Sequence, residues 1–385
     1  MGITMFEFNL PTKVIFGIDC LNMVGEKSER YGSKALIVTT KGGSMKRYGY
    51  LDKVTDSLKE NNIKYIIYPE VSTNPTTEMV DKGVKIVLEN NIDFIIGLGG
   101  GSAIDTAKMI AAVSESGGKA SEYLMGKEIE KALPIIALST THGTGSSVTH
   151  YAVLTDRKLN AKRGIASKHI YPRMAFLDPS TTLTLPLNLS IATMIDALSH
   201  AVEAYVSRKA NNFSKLFSRE AIRNIFIYGR DIDRNLKNID VREKLMWANL
   251  CAGIAIDIAR TTAAHALEHS ISAYYNIHHG YGLGIILYSW AKVSRKYAKD
   301  LFAEMAPLFN IHIDDIDEAS FRFVEALGRF VYDLGIKDRL SDIGMTLKDI
   351  DRIIDNAIEY GKYNIDNNPG KLDKKDLREI LVEAF

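Results

Sequence analysis

The sequence predicts an α/β domain followed by an all-helical domain, and three observations carry that prediction. Short apolar, β-rich runs alternate with helical patterns through the first half of the chain. After Pro186 such runs nearly vanish, and the remainder to Phe385 reads as successive amphipathic helices. Two stretches rich in glycine and small hydroxyl residues follow directly on β-rich runs, at the carboxyl ends of strands where open α/β sheets bind ligands. At 385 residues the chain exceeds what one core usually supports, so the domains are placed at residues 1–185 and 186–385.

The runs Ala35-Leu36-Ile37-Val38, Tyr65-Ile66-Ile67-Tyr68, Phe94-Ile95-Ile96 and Ile135-Ile136-Ala137-Leu138 have the continuous apolar character of strands buried on both faces of a parallel sheet. Between the second and third, Val80, Val84, Val87 and Leu88 keep the i, i+4, i+7, i+8 spacing of a helix packed on a sheet. Strand, helix, strand with short connections is the grammar of a doubly wound fold. Tyr151 to Thr155 and Met174 to Leu177 are further extended stretches before the helical half begins.

Composition narrows the function. Forty-eight Lys and Arg against 47 Asp and Glu leave a net charge of +1, which argues against a nucleic-acid or membrane-surface protein. Cys20 and Cys251, the two cysteines, lie in different halves and form no CxxC pair, which fits a reducing cytoplasm. Met1 to Phe8 lacks a basic segment followed by a long apolar one, so the expectation is a protein without an export signal.

Four of the nine histidines fall between His265 and His279. Asp196/His200 and His265/His269 are each spaced i, i+4, so on a helix both members of a pair project from one face. Imidazoles with one carboxylate suit Fe(II), Zn(II), Mn(II) or Ni(II), with room left for a substrate oxygen. Spacing alone leaves open which of His278 and His279 takes part.

In the first half, Gly97-Leu98-Gly99-Gly100-Gly101-Ser102 leads into a helix that continues through Asp105 and Lys108. Glycines there let the backbone approach a pyrophosphate, and a helix N-terminus offers free N–H groups and a positive dipole end. The spacing is not the GxGxxG fingerprint. A second loop, Ser139-Thr140-Thr141-His142-Gly143-Thr144-Gly145-Ser146, suits contacts with phosphate, ribose or amide.

Taken in order, Gly99-Gly100-Gly101-Ser102 with Asp105 and Lys108, Thr140-Thr141-x-Gly143-Thr144-Gly145-Ser146, Asp196-x-x-x-His200, His265-x-x-x-His269 and His279-Gly280 resemble the iron-containing (group III) alcohol dehydrogenase family. From His265 to Trp290 the chain is most similar to the butanol dehydrogenase and NADPH-dependent aldehyde reductase branch. The resemblance implies a fold of the dehydroquinate synthase type and hydride transfer between NAD(P)H and a small alcohol, aldehyde or ketone at one divalent metal, iron first. It assigns Asp196, His200, His265 and His279 as ligands, and His269 as a catalytic neighbour that does not ligate. The expected cofactor contacts are Thr40, Gly42, Gly43 and Ser44; Gly99, Gly100, Gly101, Ser102 and Asp105; and Thr140, Thr141 and Thr144. Ser139, His142 and Ser147 depart from the pattern, standing where relatives more often have Pro, Ala and Glu. His142 has two readings, one facing the nicotinamide or the metal pocket, the other a hydrogen-bonding surface residue.

The segment Val38-Thr39-Thr40-Lys41-Gly42-Gly43-Ser44 lacks the acidic residue that bonds the ribose 2′-OH in NAD-preferring sites, which favours NADP(H) over NAD(H). A glycerol or polyol dehydrogenase and a dehydroquinate synthase-like lyase are the rival enzymes, and an inactive nucleotide-binding scaffold is the rival without chemistry. The expected setting is a cytoplasmic homo-oligomer, a dimer first, acting on a small molecule without nucleic acid or membrane.

Overall fold

Six strands form one parallel sheet in a computed structural model that describes residues 5–385; the first four residues of the Met1 to Phe8 stretch lie outside them. The strands are β1 (Lys13–Phe16), β2 (Lys34–Thr40), β3 (Lys64–Val71), β4 (Phe94–Gly99), β5 (Ile135–Ser139) and, after the hairpin β6 (Tyr151–Asp156) and β7 (Ala161–Ala166), β8 (Met174–Leu177). Their order across the sheet is β1-β8-β5-β4-β2-β3. The chain leaves β2 toward β3 on one side and returns to place β4 on the other. That reversal makes the β2/β4 boundary a topological switch point, where open sheets bind ligands beyond the strands' carboxyl ends.

The four apolar runs lie in the parallel sheet, and β4 is buried along its whole length, but Tyr65 to Tyr68 is not buried on both faces: β3 is the edge strand, and Ile67 is 36% exposed. The Tyr151 stretch is different: β6 pairs with β7 in an antiparallel hairpin outside the main sheet.

Helices of ten or more residues are numbered. In the first half these are α1 (Tyr50–Glu60), α2 (Thr77–Asn90) and α3 (Gly101–Ser116). Val80, Val84 and Val87 are buried on α2, but Leu88 is 62% exposed. At about 100° per residue Leu88 lies some 80° around the helix from Val80, outside the face centred on Val80, Val84 and Val87, so its share of the apolar pattern was misleading. Phe94, Ile96, Leu98, Ile136, Leu138 and Phe176 pack with Val54 and Leu58 of α1 in the core on one side of the sheet.

The second half contains α4 (Leu187–Val206), α5 (Asn212–Gly229), α6 (Ile239–Ala259), α7 (Ala263–Tyr275), α8 (His279–Arg295), α9 (Ile316–Asp333), α10 (Ile350–Asp366) and α11 (Lys374–Glu383). Contacts divide the chain into two compact units, with the passage at Pro186/Leu187. Residues 5–8 group with the helical unit, and Leu236–Met246, including the first turns of α6, with the α/β unit. Among the described residues no helix is long and apolar enough to cross a membrane.

Candidate metal centre and nucleotide loops

In the helical unit, α4 carries Asp196 and His200, α7 carries His265 and His269, and His279 opens α8. The Nε2 atoms of His200, His279 and His265 stand 3.5, 3.6 and 3.9 Å from Asp196 Oδ1. One ligand atom from each of these four residues lies within 4.8 Å of every other. Metal–ligand bonds of about 2.1 Å at tetrahedral angles require ligand atoms about 3.4 Å apart, so the spacings are those of a site a divalent ion would draw slightly inward. His265 Nε2 is buried and makes no hydrogen bond, as expected of an atom reserved for a metal. The donor set thus fits an ion.

His269 stands beside this set, its ring centroid 5.2 Å from that of His279 and 6.0 Å from that of His265. His278 is the residue preceding α8 and does not belong to the cluster. Gly280 has a steric reason: a Cβ there would run into the carbonyl oxygen of Ala192 on α4. Close approach of α8 to α4 is what brings His279 to Asp196.

Two functional candidates escaped sequence reasoning. Glu203, on α4, meets His265 Nδ1 at 2.5 Å through Oε1, and Glu268, on α7, accepts from His279 Nδ1. Both are fully buried. The available signal was Glu203 seven residues after Asp196 on the same helix face, an acid among apolar neighbours that is almost never buried unless paired. Burial pushes the Glu203 carboxyl up, but His265 and hydrogen bonds from Ser199 and Thr262 outweigh it and hold the group below the usual range. Burial pushes His265 down, and the adjacent Glu203 more than reverses this.

In the α/β unit, three loops meet at the carboxyl ends of β2, β4 and β5. Thr39 Oγ1 donates to Leu98 O at 2.9 Å, tying β2 to β4 just before both loops. Thr40 Oγ1 lies 3.4 Å from Ser44 Oγ, and Gly42 and Gly43 are exposed at positive φ. Gly99 has φ 150°, and a Cβ on Gly101 would stand 2.6 Å from Thr144 Cγ2. The glycine cluster is therefore needed partly to admit the second loop. Gly100 caps α3 in an extended conformation without a side-chain hydrogen bond, so the helix N-terminus beside half-buried Ser102 presents backbone donors. Thr140 N–H donates to Gly99 O, joining the two loops, and Thr141 Oγ1 is buried without a hydrogen bond.

Two residues behave differently from expectation. Asp105, expected at the cofactor, has both oxygens engaged inside the protein: Oδ1 with Ser146 Oγ at 2.5 Å and Oδ2 with Val153 N–H at 3.0 Å. Burial outweighs Lys108 and these hydrogen bonds and raises its pKa. It anchors the second loop and β6 to α3. His142 is 1% exposed, which overturns the surface reading. Its Nε2 lies 3.0 Å from Nη1 of buried Arg242. Because a guanidinium only donates, Nε2 accepts and the neutral ring carries its proton on Nδ1. Burial, with Arg242 adding to it, pushes His142 down to about 3.

Comparison with known proteins decides the family. The iron-containing alcohol dehydrogenase profile matches residues 11–179, and the C-terminal profile of the Fe-containing alcohol dehydrogenase family matches residues 190–385. The chain belongs to the iron-containing alcohol dehydrogenase family. It is 33% identical to NADH-dependent butanol dehydrogenase A of Clostridium acetobutylicum, covering 99% of each chain. It is 32% identical to 1,3-propanediol dehydrogenase of Citrobacter freundii over the full length of both. The structure of an archaeal halo-thermophilic alcohol dehydrogenase from a Red Sea brine pool superimposes with a TM-score of 0.95 at 30% identity, covering all of both chains. As an iron-containing alcohol dehydrogenase the protein has the fold its motifs implied, a parallel-sheet N-terminal domain and a helical C-terminal one.

Proposed function

We propose that this alcohol dehydrogenase interconverts small primary alcohols and aldehydes, using NADP(H) and one divalent ion, iron first, held by Asp196, His200, His265 and His279. The observation that carries the reading is the approach of three buried or half-buried imidazole Nε2 atoms to one carboxylate oxygen. A bound ion supplies Lewis-acid polarisation of the substrate oxygen, and the nicotinamide supplies or accepts the hydride.

The chain's own residues do the rest. Asp196 partly neutralises the ion, and apolar α4 and α7 keep bulk water from its inner side. His269, next to His279 and outside the ligand set, holds and passes the proton exchanged with the substrate oxygen. Gly99 to Ser102 and the start of α3 bind the pyrophosphate, Thr140, Thr141 and Thr144 the neighbouring ribose and amide, and Thr40, Gly42, Gly43 and Ser44 the adenosine ribose. Asp105 and Lys108 hold these loops in place from inside; Lys108 Nζ donates to Thr149 O and Tyr151 O.

The NADP(H) preference rests on the end of β2, where residues 38–47 include no acidic residue to repel a 2′-phosphate and Lys41 and Arg47 are exposed; Lys46, also exposed, is paired with Asp52 of α1. The butanol dehydrogenase relatives are NADH-dependent by name, so the preference is this chain's own feature to test. The likeness to a 1,3-propanediol dehydrogenase supports a short diol as second substrate class. Family membership favours oxidoreduction over the lyase reaction. A cytoplasmic setting accords with two buried, unbridged cysteines.

The test is oxidation of NADPH by butyraldehyde, with NADH in parallel, on protein stripped by chelator and reloaded with Fe(II), Zn(II), Mn(II) or Ni(II). Activity restored by an ion and faster with NADPH supports the reading. Activity indifferent to metal removes the ligand assignment, and faster turnover with NADH removes the cofactor preference.

A further inference from the structure

Each imidazole of the cluster that does not belong to α4 is held from behind by a carboxylate on the preceding ligand-bearing helix. Glu203, one turn beyond His200 on α4, receives His265 Nδ1 of α7. Glu268, three residues after His265 on α7, receives His279 Nδ1 of α8. The helix that brings one ligand thus also aims the next.

Neither acid is a solvated accident. Both are 0% exposed, and burying a carboxylate costs several kcal/mol unless it is paired and hydrogen-bonded. Glu203 divides its oxygens: Oε1 takes His265 Nδ1 and Ser199 Oγ at 2.7 Å, while Oε2 takes Thr262 N–H at 2.7 Å and Thr262 Oγ1 at 2.8 Å. The second oxygen secures the start of α7, so a structural duty is already met without the first. Glu268 accepts from Ser272 Oγ and His279 Nδ1, the serine fixing Oε1 so that Oε2 faces the imidazole. An ionised carboxylate only accepts, so each Nδ1 must carry the hydrogen. That leaves each Nε2 directed at the Asp196 side, 3.9 Å away for His265 and 3.6 Å for His279.

We propose that Glu203 and Glu268 are positioning residues that lock His265 and His279 with the proton on Nδ1, strengthen Nε2 as a donor, and thereby set the site's affinity for its divalent ion. This rests on the metal reading given above. An outer carboxylate of this kind fixes both ring orientation and ligand basicity. The arrangement gives the two carboxylates separate effects, because each serves a different histidine.

The experiment is competition for Zn(II) between the protein and a chromogenic chelator, on wild type, Glu203→Gln, Glu268→Gln and the double variant, with thermal unfolding of each metal-free protein alongside. Glutamine keeps the shape but weakens the orienting bond, so each single variant loses about 10- to 100-fold in affinity and the double variant more. Lower unfolding temperatures with unchanged Zn(II) affinity mean a purely structural role and overturn the proposal. If Glu203→Gln does not fold, Glu268→Gln and the wild type still decide. Nitrogen-15 NMR of zinc-loaded wild type should show protonated Nδ1 on both His265 and His279, and a proton on Nε2 of either overturns it. A wild type that holds no divalent ion overturns the metal reading and this one together; a wild type that holds one as tightly as both variants do overturns this one alone.

Discussion

The candidate metal cluster and the candidate nucleotide loops are built from opposite materials. At the candidate nucleotide loops the groups on offer are backbone N–H and small side chains, and the informative residues are glycines at positions where a Cβ would strike Ala103 or Thr144. At the candidate metal cluster the groups on offer are side-chain atoms aimed from three helices, and backbone matters at one point, the contact of Gly280 with Ala192. A backbone site tolerates variation in side chains yet fails when space is taken away. A side-chain site fails when one donor is lost.

The largest expected difference comes from removing a donor. His265→Ala should lower kcat/KM on the order of 1,000-fold, the several kcal/mol of polarisation a metal supplies, while binding of the reduced cofactor, followed by fluorescence, stays near wild type. Loss of both together would mean that the halves are not separable. Gly280→Ala comes next. By pushing α8 off α4 it should displace His279 from Asp196 and cost roughly 100-fold in activity, with weaker ion retention on dialysis, although no ligand has been changed. Full retention of the ion would show that α8 can shift without moving its histidine.

On the nucleotide side the effects are smaller. Thr40→Asp places a carboxylate at the end of β2 and should shift the ratio of kcat/KM for NADPH over NADH by about tenfold toward NADH, about 1.4 kcal/mol, leaving metal content unchanged. An unchanged ratio would place the 2′-position elsewhere. The remaining effect is on stability and leaves turnover aside. His142 titrates at about 3 when folded and near 6.5 when unfolded, so between those values the unfolded chain binds the extra proton. Its contribution is complete above about pH 6.5 and falls by up to about 1.4 kcal/mol per pH unit as pH drops toward the folded value. Urea unfolding of wild type and His142→Gln at pH 7 and pH 5 should show the shallower pH dependence in the variant; parallel curves would mean that His142 is not held neutral by its burial.

Much of this was legible along the chain. The apolar runs at Ala35, Tyr65, Phe94 and Ile135 became adjacent parallel strands, those at Ala35, Phe94 and Ile135 because strands buried on both faces need no polar alternation, whereas Tyr65 to Tyr68 lies at the sheet edge and is only partly buried. The i, i+4 pairs placed Asp196 with His200 and His265 with His269 because helix periodicity is local. Where neighbours in space decide, local pattern fell short: Leu88 has a helical spacing but no sheet to meet, Tyr151 to Thr155 is extended as expected but pairs in a separate hairpin, and Asp105, which the resemblance drew toward a cofactor, is already occupied by Ser146 and Val153.

The sequence by itself determined the fold class and the family, and it singled out candidate metal donors and loops suited to a dinucleotide, all written in spacings of a few residues. Only the tertiary structure decided which atoms converge and what holds them. Glu203 and His265 are 62 positions apart, and His142 and Arg242 are 100. No periodicity spans such separations. A buried charge finds its partner through the packing of whole helices, and the cost of leaving it unpaired is paid only once the core has closed around it.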